Sequence, residues 1–249
     1  HEDDIKVLVN TEATRTAIET ELKFLSERVL ENDKIILFYA GHGVYTNNQN
    51  YIVPVDAYKT ALKDTCISIN RILGYLKKSL SNRNILFFDS CHSGFQPGED
   101  IRDINEDFSA DELTYKHKDE EFCIGYASCK SHQKSISDHK LKNGVWTHFL
   151  LKALKGDTAK IYEKGLLFSD RLQSYLKDSV YQYVKMNTDD KKDQQPIAFG
   201  NQTDRFIIAD LNHVFDEKQA EEESKEFSFT NIYLLNIEEG YVKSLPSFK

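Results

Sequence analysis

An α/β fold with a mostly parallel central sheet is predicted by two observations. The runs KIILFY (34–39) and NILFFD (84–89) are continuously apolar and do not alternate, as in strands buried on both faces of a parallel sheet. Helical stripes fall before, between and after them, and such alternation implies helices that cross over and cover the sheet. In chain order, IKVLV (5–9) reads as a strand, and Ile18, Leu22, Leu25 and Val29 mark a helix. KIILFY follows as a central strand; Ile69, Ile72, Leu73, Leu76 and Leu80 form the next helical stripe, and NILFFD the second central strand. EFCIGYAS (121–128), PIAF (196–199) and RFIIA (205–209) read as further strands. Leu172, Leu176, Val180 and Val184 define a late helix, with Ser169 and Asp170 as its expected caps.

Composition narrows the function classes. The 249 residues are 40% hydrophobic and 12% aromatic, with only 11 Gly and 4 Pro, enough for a packed core and unlike a disordered chain. The length fits one large domain over 1–210, followed by an acidic linker and C-terminal extension over 211–249. A net charge of −8 argues against a nucleic-acid footprint. No apolar stretch reaches the roughly 18 residues of a membrane span, and HEDDIK lacks a signal-peptide pattern. Four cysteines without CxxC spacing suit a reducing compartment, so the cytosol is expected. Residues 99–121 carry ten acids against three bases. This run is either a solvated loop or an attractor of basic substrates or divalent cations.

The chemistry gathers where the two central strands end. KIILFY runs into Ala40, Gly41, His42 and Gly43, and NILFFD into Ser90, Cys91, His92, Ser93 and Gly94. Adjacent parallel strands bring such ends together, so His42 is the candidate acid/base and Cys91 the candidate nucleophile. The amides of Gly43 and Cys91 are candidate oxyanion donors. His92 is set aside because neighbouring side chains on a strand project oppositely. Cys66, Cys123 and Cys129 read as packing residues, and His132, His139 and His148 as surface or core residues. Position 97 is Pro97 where a tyrosine phosphatase needs Arg. A G-x-S-x-G elbow and grouped zinc ligands are likewise missing from the sequence.

YAGHG (39–43), NYIVPVD (50–56) and DSCHSG (89–94), with ASCKSHQKS (127–135), GVWTHFLLKAL (144–154) and QQPIAFG (194–200), resemble the metacaspase and bacterial caspase-like branch of the caspase-type cysteine peptidases. The likeness spans roughly 4–210. It implies a caspase-like, mostly parallel sheet sandwiched by helices, and peptide-bond cleavage through a thioester, with His42 as acid/base and Cys91 as nucleophile. The family's first strand and helix, which precede the segment matching IKVLV, have no counterpart here. Two readings of this departure stay open, a processed fragment and a partial chain, with the pocket incomplete unless an upstream fragment or activating partner supplies the element.

Asp89 lies two positions before Cys91, on the same side of the strand, where a carboxylate selects a cation. Together with the resemblance to metacaspases this points to protein or peptide substrates with Arg or Lys before the cut. The other reading of Asp89 is a structural carboxylate capping backbone amides. Ala40 and Ser128 join Asp89 as substrate-binding candidates. Calcium is required by some metacaspases, but 99–121 lacks an EF-hand loop and reads first as solvated acid, so no cofactor is assigned. Arg102, Lys116 and Lys118 in that run make self-processing an expectation. The competing reading is a catalytically silent caspase-like scaffold or regulatory protein-binding subunit.

Overall fold

The structure, a computed structural model, describes residues 5–46, 49–90, 122–130, 133, 135–158, 160–188, 193–201 and 204–218. Helix α1 (Arg15–Arg28) starts at Thr14, whose hydroxyl accepts from the Ala17 amide at 3.2 Å. Strand β1 (Ile36–Ala40) leads to the hairpin β2 (Gly43–Thr46) and β3 (Gln49–Ile52). After a single helical turn, α2 (Leu62–Thr65), strand β4 (Ile67–Ser68) pairs antiparallel with β3. Helix α3 (Ile69–Lys78) is capped by Ser68 in the same manner as α1. Strands β5 (Asn84–Asp89) and β6 (Cys123–Ala127) follow, then a short ladder, β7 (Ser137–Asp138) with β8 (Asn143–Gly144). Helix α4 (Val145–Leu154), strands β9 (Tyr162–Glu163) and β10 (Leu166–Phe168), helix α5 (Ser169–Asn187), β11 (Ile197–Gly200) and β12 (Ile207–Asp210) complete the order.

The central sheet runs β1-β5-β6-β11. Its first three strands are parallel, with Ile36 opposite Ile85 and Ala40 opposite Asp89, and then Phe88 opposite Ala127. β11 closes the far side antiparallel. Alternation along β5 sends Leu86 and Phe88 to one face, with Leu22, Ile69, Ile72 and Leu76 of α1 and α3, and Ile85 and Phe87 to the other. There they meet Trp146 and Leu150 of α4 and Leu172, Leu176, Val180 and Val184 of α5. Two apolar layers thus sandwich the sheet, as the mixed α/β reading requires. Fully burying one side chain such as Phe88 contributes about 2–3 kcal/mol.

The structure differs from the sequence reading at several elements. β5 is internal, but among the described residues β1 is an edge strand, with Ile36 57% and Phe38 49% exposed. Among the described residues, 5–9 form no ladder; Ile5, Val7 and Val9 are exposed. A β-prone segment becomes a strand only where a neighbour offers both ladder partners and cover. RFIIA contributes β12 to a separate antiparallel sheet with β10 and β9. Ser169 lies inside α5 and accepts the Phe206 amide at 3.1 Å instead of capping the helix, while Asp170 pairs with Arg205. Residues 211–218 pack on the domain: Phe215 stacks edge-on against Tyr162, and Lys218 bonds Asp157 at 2.8 Å.

Candidate active site

The parallel strands end together. The Gly41 amide donates to the Asp89 carbonyl at 3.3 Å, tying the turn after β1 to the end of β5. His42, half-buried, sits in the two-residue turn between β1 and β2. Its carbonyl accepts from the Val53 amide at 3.0 Å and from the Tyr39 hydroxyl at 2.7 Å. Burial pushes the Tyr39 phenol far up, so it remains a donor. Glycine at 41 has a steric reason, since a Cβ there would lie 2.6 Å from the Tyr39 hydroxyl oxygen. Tyr39 therefore fixes the backbone from which the His42 imidazole projects.

Asp89, the last residue of β5, is half-buried. Its Oδ1 accepts from the Ser135 hydroxyl at 2.8 Å and its Oδ2 from the Thr147 hydroxyl at 2.5 Å. Gly144 lies flush against it: a Cβ there would be 2.8 Å from Oδ2. No cation pairs with this carboxylate among the described residues.

Ala40 is exposed and stands opposite Asp89 in register. Ser128 is fully buried; its amide donates to the Phe88 carbonyl at 3.0 Å and its carbonyl accepts from Gln194 Nε2 at 3.0 Å. Gly43 opens β2, half-buried beside His42. Cys91, both as nucleophile and as oxyanion donor, lies outside the described residues, as do His92, His132, the acidic run 99–121 and the bases Arg102, Lys116 and Lys118. Cys66 and Cys123 are buried free thiols, and burial pushes Cys66 up to about 11, far from a reactive thiolate. Cys129 is buried too. His148 rests edge-on against Phe149, and burial lowers its affinity for a proton; His139 is exposed. Among the described residues no group of three or more His, Cys, Asp or Glu is placed to hold a metal ion, and no helix is long and apolar enough to cross a membrane.

The sequence reading missed Tyr39, Ser135, Gly144, Thr147 and Gln194. Their signals were faint: a hydroxyl at the end of an apolar run, a lone Thr in the apolar VWTHFLL, and polar residues inside ASCKSHQKS and QQPIAFG.

A parallel sheet between two helical layers, with a histidine turn and an acidic strand end side by side, defines the class, and the caspase-domain model matches residues 2–207. The chain belongs to the caspase domain family, a family of cysteine peptidases. Over 123 residues it is 27% identical to the mucosa-associated lymphoid tissue lymphoma translocation protein 1 of Homo sapiens, and equally to the homolog from Mus musculus. The match takes in 49% of this chain and 14% of each relative, so it spans only a small part of their length. Protein GSU0716 from Geobacter sulfurreducens has a similar fold, with TM-score 0.51 and 16% identity, over 80% of this chain and 78% of that one.

Proposed function

We propose that the chain is a cysteine endopeptidase of the metacaspase-like kind that cuts proteins after Arg or Lys. His42 takes the proton of the Cys91 thiol; the thiolate attacks the scissile carbonyl, and the amides of Gly43 and Cys91 receive the oxyanion. Collapse expels the amine, protonated by His42, and leaves a thioester that water hydrolyses. The observation that carries the basic preference is Asp89: a carboxylate at the strand end beside the His42 turn, held by two hydroxyls and lacking a cation among the described residues. A substrate guanidinium or ammonium supplies that charge. Ala40, exposed opposite Asp89, flanks the bound peptide.

The edge that Ile36 and Phe38 expose among the described residues supports a further strand supplied by an upstream fragment or activating partner. Assay of fluorogenic peptides differing only in the residue before the cut tests the reading. Arg and Lys peptides are expected to be cleaved by the wild type and left intact by Cys91→Ala; a preference for Asp overturns it.

A further inference from the structure

We infer that Ser135 and Thr147 are positioning residues that set the charge preference of the site by holding the two oxygens of Asp89 in place, and that Gln194 sets the direction of that network. The inference rests on the basic-residue reading and deepens it. Gln194 is fully buried, and its amide is oriented by its surroundings: Oε1 accepts from the Ile136 amide at 3.0 Å. Nε2 must then present its two hydrogens, one to the Ser128 carbonyl at 3.0 Å and one to Ser135 Oγ at 3.4 Å.

Ser135 Oγ accepts from Gln194, so its single proton goes to Asp89 Oδ1 at 2.8 Å. Thr147, on α4, gives its proton to Oδ2. Both carboxyl oxygens thereby receive one hydrogen bond each, which leaves further lone pairs open on both. Neither hydroxyl cancels the charge. The group keeps lone pairs for a planar guanidinium or a point-charge ammonium, and each of its two oxygens is held by a different hydroxyl. Two separate elements, the segment after β6 and the first turn of α4, thus converge on one specificity-determining group.

The test compares two peptides that differ only in arginine against citrulline, its uncharged isostere, before the cut. Thr147→Val and Ser135→Ala are each expected to lower the arginine-to-citrulline ratio of kcat/KM roughly tenfold, mainly through KM for the arginine peptide, and Thr147→Ser is expected to restore it. Equal losses on both peptides, which a purely structural role predicts, overturn the inference. Asp89→Asn in the same assay separates the two levels. If it collapses the ratio while the hydroxyl variants do not, the positioning roles fail alone; if it leaves the ratio unchanged, the basic-residue reading fails and the inference with it. Calorimetric binding of benzamidine to the same variants gives the same comparison without turnover. Weaker binding on loss of either hydroxyl supports the roles, and unchanged binding refutes them.

Discussion

At the scale of single residues, the site depends on how two backbones are held. The Tyr39 hydroxyl donates to the His42 carbonyl and lies 3.2 Å from both the amide and the carbonyl of Val53, so one phenol joins the histidine turn to the residue that directly follows β3. Tyr39→Phe keeps the ring packed in the core and removes only these bonds, at a cost of about 1 kcal/mol. A correspondingly small fall in thermal midpoint is expected, together with a roughly fivefold loss of kcat; an unchanged kcat would show that the turn holds His42 without help. Gly144→Ala acts on the other group. Its new methyl would press on Asp89 Oδ2 from 2.8 Å, and because Gly144 adopts φ −57 it tolerates a side chain in its backbone. Cleavage of arginine peptides is expected to fall roughly tenfold while the unfolding midpoint barely moves, checked by parallel kinetics and thermal melts.

The elements divide into those sealed by two layers and those left partly open. Phe88 on β5 is fully buried, stacked on Phe199 at 6.2 Å and tilted against Tyr39. Phe38, on the neighbouring strand, is half exposed. Truncation should separate them: Phe88→Ala is expected to cost about 3–5 kcal/mol and Phe38→Ala under about 1 kcal/mol, measured by urea unfolding. Where β9 meets α5, Glu163 is held by Arg205 at 2.8 Å and Arg171 at 3.0 Å. Hydrogen bonds from Arg205 and then Arg171 lower its carboxyl from the ordinary 4.5 to about 2. A depressed carboxyl pKa stabilises the fold above 4.5 and loses that contribution as pH falls through about 2. Glu163→Gln is therefore expected to have a lower thermal midpoint than wild type at pH 6, with the gap closing between pH 4.5 and 2; the pair is exposed, so the gap is small and shrinks in salt.

For the whole molecule, the proposed peptidase activity predicts self-processing, because Arg102, Lys116 and Lys118 follow Cys91 closely in the sequence. Fragments ending at those residues are expected from purified wild type by mass spectrometry and are expected to vanish in Cys91→Ala; their persistence would assign the cuts to another protease. What could be read without coordinates was what local pattern carries. Unbroken apolar runs marked two adjacent strands and stripes at helical spacing marked α1, α3 and α5, while the polar turn after β1 offered His42 as a candidate and the place two before Cys91 offered Asp89, because periodicity and turn chemistry are written within a few residues. The tertiary structure decided what depends on residues far apart in the chain. Asp89 meets Ser135 and Thr147 across 46 and 58 residues, and among the described residues β1 becomes an edge strand and 5–9 stays unpaired despite a sound strand pattern. Pairing and hydrogen-bond partnership are set by which distant surfaces the packed layers bring within reach, and no local spacing encodes that choice.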